Sequence, residues 1–498
     1  MATFFIVLAS LLVASLLRRW FKKPSVKHVK GPPSPSFWLG HQRVLRDQEN
    51  AGDLESKWCK EYGTLYRIGD CLGQDALVVC DPKALAHVFH PSHPYPKSKD
   101  AVFILGLIAG KGLGIVSGET HHRQRKILNP AFSPAQLRIS QVIFQQCCNK
   151  LVNGIKGSLA GGTDATMNIR DWTGKVTLDI IGLGNTLDGQ RTELGQAMRH
   201  LFTASQTNTT ALELILIALI RMLPNSMLGI LQLFSTREIR QLVSVGNMAK
   251  QNAREIMASH NDVQTPDGDG DIIRRARLAG KLQDEEVEAQ LMTFVIAGHE
   301  TSSTSLSWLL YELAVHSEHQ SIIRTELKGS NDYDSMPFLN AVIKEALRLH
   351  PVTYSLTRTT PHDDVLPLSG GKTLAVPKGQ TLVCSAYLYN RLPSLWGDDA
   401  EEWNPARFLD KTMPVSLGVY ANLMSFSAGS RSCIGWRFAI MEMQTILANL
   451  ILHFEFSLPE GGVEILRFPG SPGVVPIVKG KAHLGSQLPL RVKVYSDE

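Results

Sequence analysis

The sequence predicts a mainly α-helical fold with a smaller β-sheet part, an α+β body in one piece. Three observations carry this. Helical periodicity dominates from about residue 135 to 350 and returns over 436–452. Residues 63–80 alternate and are rich in Tyr, Ile, Val and Leu, and residues 352–384 turn to β-branched residues punctuated by Pro and Gly. After about residue 36 there is no linker, repeat or long low-complexity tract, so residues 37–498 read as a single domain.

The chain opens with an apolar run, Ala2 to Leu17, free of charge. Its sixteen residues would span about 24 Å as a helix, slightly short of a hydrocarbon core of about 30 Å. Trp20 and Phe21 extend it if Arg18 and Arg19 snorkel past them. Basic residues follow the run rather than precede it, which puts the remainder of the chain on the cytosolic side of a membrane. A cleavable signal peptide would show basic residues first and a small-residue cleavage site after, and neither is present. Residues 1–23 are therefore expected to be a membrane anchor with a basic juxtamembrane segment. Residues 24–36, with Gly31-Pro32-Pro33-Ser34-Pro35, are expected to be a stiff proline-rich hinge.

Charge placement agrees. Residues 1–30 hold six basic residues and no acidic one, and the rest of the chain holds 45 basic against 46 acidic. A nearly neutral body excludes a nucleic-acid binder, which would carry a basic stripe on its folded part.

Along the body, residues 63–80 predict early strands, and Asp81-Pro82 predicts a helix start by N-cap and proline. Residues 101–118 (AVFILGLIAGKGLGIVSG) suit a flexible loop over an apolar cavity or a buried hairpin. Residues 284–316 read as one long helix with Asp284 as its cap. Its centre breaks local rules. Gly298 costs about 1 kcal/mol against alanine, and Thr301 can bond back to the Ala297 carbonyl. Glu345 and Arg348 lie three residues apart on one helix face, and Pro351 ends that helix. A small sheet follows, then Trp403-Asn404-Pro405-Ala406-Arg407-Phe408.

The most informative stretch runs from Phe426 to Gly435, with Cys433 between Gly429 and Gly435. The glycines allow a tight loop and a close approach to something flat. An apolar helix begins near Trp436, and its free N–H groups would favour a thiolate at Cys433. Arg431 could meet an anionic group. The other six cysteines, Cys59, Cys71, Cys80, Cys147, Cys148 and Cys384, show no zinc spacing and fit a reducing compartment.

This segment resembles the haem-binding signature of the cytochrome P450 family, Phe-x-x-Gly-x-Arg-x-Cys-x-Gly, at every defined position. Ala297-Gly298-His299-Glu300-Thr301-Ser302 resembles the family's distal helix motif, with Glu300 where Asp is commoner. Glu345-x-x-Arg348 and Pro405-x-Arg407-Phe408 resemble a further pair of family motifs, with Ala406 in place of the common Glu. The likeness spans about Pro32 to the end. Its wording (LNPAFS, CIGWRFA) is similar to fungal microsomal members involved in secondary metabolism.

The resemblance implies a P450-like fold that holds haem b, with the Cys433 thiolate on iron. Phe426, Gly429 and Gly435 then shape the cofactor loop, and O₂ is co-substrate. Ala297 and Gly298 would leave room for O₂, and Thr301 and Glu300 would manage water and protons. Glu345, Arg348 and Arg407 would form a structural network on the proximal side. His121, where the family often has Trp, would contact haem propionates together with Arg125, Arg358 and Arg431.

No GxGxxG nicotinamide or flavin module is visible: Gly112-x-Gly114 and Gly182-x-Gly184 lack the third glycine. Electrons are therefore expected from a separate NADPH-cytochrome P450 reductase, with cytochrome b5 as an optional second donor. Arg123, Lys126 and Arg437 are candidates for its docking face. The expected reaction inserts one atom of O₂ into a lipophilic small molecule at the endoplasmic reticulum membrane. The alternatives are a haem-thiolate isomerase or dehydratase needing no external electrons, and a non-enzymatic haem sensor.

Overall fold

The structure, a computed structural model, describes residues 26–159, 161–181, 187, 210–224, 237–259, 280–409, 417–469 and 473–496. In chain order the described α-helices of six residues or more are α1 (Gln42–Asp47), α2 (Asp53–Tyr62), α3 (Pro82–Val88), α4 (Lys99–Ala109), α5 (Gly118–Leu128), α6 (Pro134–Ser158) and α7 (Ile169–Ile180). They continue with α8 (Ala211–Met222), α9 (Arg237–Ser259), α10 (Asp284–Val315), α11 (Glu318–Gly329), α12 (Pro337–Leu349) and α13 (Trp436–His453).

Four small sheets accompany them. Strands β1 (Leu65–Gly69) and β2 (Asp75–Val79) form an antiparallel hairpin, extended by the distant β7 (Thr381–Ser385) and β4 (Ser355–Thr359). The pairing of β2 with β7 is parallel, and β4 runs antiparallel to β7 with Arg358 opposite Leu382. Strands β5 (Asp364–Pro367) and β6 (Thr373–Val376) pair with each other. β8 (Phe454–Ser457), β11 (Pro489–Val494) and β3 (Asp164–Asn168) make a three-stranded sheet, and β9 (Ile465–Pro469) pairs with β10 (Val474–Val478).

Local chemistry starts these helices. Asp81 accepts from the backbone of Lys83 and Ala84 to open α3, with Pro82 at its first position. Ser133 caps α6 ahead of Pro134 in the same way. Three acidic residues crowd the first turn of α10, where the helix dipole favours them. Its cap is Gln283, in a reciprocal box with Glu286, rather than Asp284, which is already helical.

The main core lies where α6, α7, α10, α12 and α13 meet. Phe144, Leu151, Leu309, Leu313, Ile343, Ile446 and Leu447 are all within 1 % of complete burial. Each such side chain contributes about 1.5–3 kcal/mol of transfer free energy. A second core fills the space between the four-stranded sheet, α2 and α3.

Residues 99–109, expected as loop or hairpin, form helix α4, which ends at Gly110 with φ +62°. The run is apolar on every side because α4 packs on α8, α9 and α10, so it shows no amphipathic stripe. Residues 110–117 form the non-helical remainder of that stretch.

The anchor expected at residues 1–23 lies outside the described residues. Among the described residues no helix is long and apolar enough to cross a membrane. Within the proline-rich segment, residues from Val26 onward lie against the body: Val26 is buried, and the Lys30 carbonyl accepts from the Arg67 backbone on β1 at 3.0 Å. An added Cβ at Gly31 would fall 1.9 Å from the Arg67 carbonyl, so only glycine admits this approach.

Candidate active site

The cysteine loop is built by backbone contacts. Cys433 N–H donates to the Phe426 carbonyl at 2.8 Å, closing the turn. Gly429 sits at φ +67°, and a Cβ there would lie 1.9 Å from the Phe89 carbonyl. Gly435 differs from the expectation of a backbone-driven glycine. Its φ is −91° and a Cβ would make only ordinary contact, 3.5 Å from the Phe132 ring. It is the N-terminal cap residue of α13, so that helix's free N–H groups begin directly behind the sulfur.

The Cys433 side chain is exposed, yet the protein around it is dense enough for burial to push its thiol up. A Gly435 backbone N–H and the Arg125 guanidinium act in the opposite direction. An exposed sulfur whose neighbours Arg431, Ser432 and Ile434 are buried or half-buried faces a hollow beside the loop, the candidate cofactor cavity.

Around this cavity gather five basic side chains. Lys97 bridges in β fashion to Arg358 on β4, and donates through Nζ to the Gly114 carbonyl at 2.5 Å. Burial, then Arg358 and Arg431, lower Lys97 to about 8. Burial and the neighbouring Arg358 and Arg125 lower Arg431 to about 10. His121 falls to about 4, by burial first and then by Arg431, Arg125 and Lys97. Burial lowers Arg358, which lies 5.0 Å over the Phe89 ring. Among the described residues none of the five has a carboxylate in ion-pair reach.

Crowding buried cations without counter-charge is costly, so the cluster is built to meet an anion. Arg125 also makes contacts that the sequence did not predict. Its guanidinium donates to the carbonyls of Ser430 (3.1 Å) and Ser432 (2.7 Å), so it fastens the cysteine loop directly. Lys97 was not among the residues singled out from sequence; a lone lysine before a helix gives no local signal.

The distal motif is split between two faces of α10. Thr301 Oγ1 donates to the Ala297 carbonyl at 2.6 Å, as the sequence implied. Ala297 is exposed and Thr301 half-buried, although the following turns are buried. Phe294, one turn earlier on the same face, stacks edge-on against Phe132 at 5.5 Å, and Phe132 lies beside Gly435. This chain of contacts sets the Phe294–Ala297–Thr301 face toward the cysteine loop.

Glu300 points elsewhere. It is 4 % exposed and ion-paired to Arg170 on α7, which also donates to Ser303. Thr173, Ser303 and Ser307 complete this buried polar seam, and Thr177 contacts His299. The geometry therefore separates Glu300 from the Thr301 face. A Cβ at Gly298 would meet the tip of the Ile181 side chain at 2.1 Å, so this glycine also lets α10 pack closely beside the end of α7.

On the opposite side, the expected Glu345–Arg348–Arg407 network is assembled. Arg348 donates to Glu345 through Nε (2.7 Å) and Nη2 (2.8 Å), both residues fully buried. Arg407 Nε reaches Glu345 at 3.0 Å. Asp399 supplies the acidic partner that Ala406 does not, accepting from Arg407 Nη2 at 2.9 Å. The carbonyls of Asn390, Ala400 and Glu402 accept from Arg348, so the network ties the α12 helix to the segment before Arg407. Of the three suggested docking residues, Arg123 is paired with Glu286, Arg437 lies 4.2 Å over Trp436, and Lys126 is exposed.

A helical body, a glycine-held cysteine at a helix N-terminus and a buried cation cluster beside it define a haem-thiolate protein. The chain matches the cytochrome P450 family over residues 30–483, and it belongs to that family. It is 30% identical to cytochrome P450 monooxygenase 205 of Postia placenta, over 94% of this chain and 93% of that protein. It is 31% identical to monooxygenase 128 of the same fungus over 94% and 92%. Cytochrome P450 monooxygenase claQ of Ampulloclitocybe clavipes is 29% identical over 98% and 96%. The chain is thus a cytochrome P450 monooxygenase by family, with a haem-thiolate cofactor and O₂ as co-substrate.

Proposed function

We propose that this P450 inserts one atom of O₂ into a lipophilic small molecule, with electrons from a separate NADPH-dependent reductase. The observation that carries the reading is the open Cys433 sulfur beside the uncompensated cluster of Lys97, His121, Arg125, Arg358 and Arg431. Haem fits this set: a soft thiolate for iron and cations for two propionates. When bound, haem supplies the iron centre at which O₂ is activated. Cys433 would hold the iron, and Lys97, Arg358 and Arg431 the propionates.

The protein's own residues do the rest. The Thr301 hydroxyl donates its hydrogen bond to the Ala297 carbonyl, so its oxygen lone pairs remain available as acceptors on the cavity side. Phe132 and Phe294 keep an apolar wall at the loop. The half-buried apolar side chains of α4 and the apolar α8 packed on it suit a lipophilic substrate, giving affinity but little identity. The uncharged run at 2–17, followed by basic residues, supports anchoring in the endoplasmic reticulum membrane with the body in the cytosol.

The first test is the absorption spectrum of the dithionite-reduced protein with carbon monoxide, beside Cys433→Ala. A strongly red-shifted Soret band that vanishes in the variant supports thiolate ligation. A band at the position of histidine-ligated haem overturns it. Turnover that requires NADPH and reductase separates monooxygenation from isomerisation or dehydration, which would proceed without either. Substrate-induced spectral shifts with product formation count against a pure sensor. Deleting residues 1–23 is expected to release the protein from membranes.

A further inference from the structure

Outside the cysteine loop, two other cysteines face each other. Cys59 lies in the last turn of α2 and Cys80 just after β2, and their sulfurs are 3.6 Å apart. A disulfide needs about 2.05 Å. Closing the remaining gap of roughly 1.5 Å is within reach of small side-chain rotations. Cys80 is fully buried, and its sulfur also contacts the Thr64 carbonyl at 3.3 Å. Cys59 is only half-buried, so a small oxidant can reach it.

We propose that Cys59 and Cys80 form a reversible, peroxide-responsive disulfide, a modification site outside the catalytic machinery. The two cysteines have different roles. The Cys80 thiol beside it draws Cys59 below the usual cysteine range, against burial and Glu401, with Lys60 assisting. Contact with Cys59 and burial push Cys80 well up. Cys59, the sulfur an oxidant can reach, is therefore the attacking one, and the buried Cys80 3.6 Å away is the resolving one.

In the first step the Cys59 thiolate attacks one peroxide oxygen. The O–O bond breaks, sulfenic acid forms, and the second oxygen leaves as hydroxide, which is protonated to water. In the second step Cys80 attacks the Cys59 sulfur. The S–S bond forms, the S–O bond breaks, and the hydroxyl leaves with the Cys80 proton as water. Two thiols are oxidised and one peroxide is reduced to two waters. A cellular thiol reverses the bond by exchange.

The bond would clamp α2 to the base of the β1–β2 hairpin. That junction already bears load: Thr64 Oγ1 donates to Asp81 at 3.1 Å, and Asp81 both caps α3 and accepts from the Ser369 backbone. A covalent tie there restricts the unfolded chain and raises the melting midpoint by a few degrees.

The test uses the full-length, haem-loaded protein, freed of reductant and exposed briefly to low-stoichiometry hydrogen peroxide, with haem absorbance monitored. After alkylation, non-reducing peptide mass spectrometry is expected to find a Cys59–Cys80 linked peptide that dithiothreitol removes. Cys80→Ser should leave Cys59 as a sulfenic acid that a carbon nucleophile traps. Cys59→Ser should keep the carbon monoxide spectrum and lose the peroxide-dependent rise in melting temperature. If Cys59 stays reduced, or passes to sulfinic acid with no linked peptide in the unmutated protein, the proposal is overturned.

Discussion

Glu300 and Arg170 form a buried ion pair between α10 and α7, while Thr301, the very next residue, presents its hydroxyl side to the cysteine loop. Successive residues on an α-helix are about 100° apart, so one motif serves two faces. The acidic member holds α10 against α7, and the hydroxyl member borders the cavity.

Removing one partner of this pair strands the other. Arg170→Met is expected to destabilise the protein by about 3–5 kcal/mol, because Glu300 is left buried and uncompensated. The double change Arg170→Met with Glu300→Leu should recover much of that loss. Urea unfolding of the three variants measures it; a double variant as unstable as the single one would refute the pairing argument.

The cation cluster predicts opposite effects on two quantities. Lys97→Met removes one of several mutually repelling buried cations. The haem-free protein should melt no lower, or slightly higher, while haem transfers faster to a scavenger protein. Thermal melts of apoprotein and haem-transfer rates check this. Faster haem loss accompanied by a strongly destabilised apoprotein would mean that Lys97 is merely structural.

Glu345 accepts from Arg348, Arg407 and the Asn404 backbone, all at 3.0 Å or less. Glu345→Ala should cost about 3–5 kcal/mol or prevent haem-loaded folding. Arg348→Lys should also fail to hold haem, since one ammonium cannot replace the fork that reaches Glu345 and three carbonyls. Haem content per folded protein is the readout. Wild-type content in Arg348→Lys would show that charge alone suffices.

His121 sets a pH dependence in the haem-free protein. Its folded pKa, about 4, lies below the ordinary value of 6.5. Between those values the unfolded chain binds the extra proton. Stability is therefore full above pH 6.5 and falls as pH drops toward 4. The loss at pH 5 is at most about 2 kcal/mol, less where solvent screens the ring. His121→Gln should flatten this part of the stability–pH curve. An unchanged slope would assign the effect to another group. The same shift keeps His121 neutral at pH 7 in the haem-free protein.

Much of the site was legible because its determinants are short-range. The cysteine loop declares itself through Phe426, Gly429, Arg431 and Cys433 within eight positions. The Thr301 bond to Ala297 and the Glu345–Arg348 contact follow from helical spacing alone. The helix α4 was missed because apolar packing on several sides erases the stripe that marks an amphipathic helix. Arg170, Lys97 and Asp399 were missed for a different reason: each matters only through a partner at another place in the fold. Gln283 rather than Asp284 caps α10, a one-residue difference decided by the reciprocal bond to Glu286.

By itself the sequence determined the helical class, the position of the candidate ligand cysteine and the order of the family motifs. These rest on local spacing, glycine conformations and helix periodicity. Only the tertiary structure decided that Glu300 turns to Arg170, that Arg125 grips the cysteine loop, and that basic side chains from four separate segments share one cavity with no acid in ion-pair reach among the described residues. Charges brought together by long-range packing shift and pair according to their distances in space, and those distances are set by the fold as a whole.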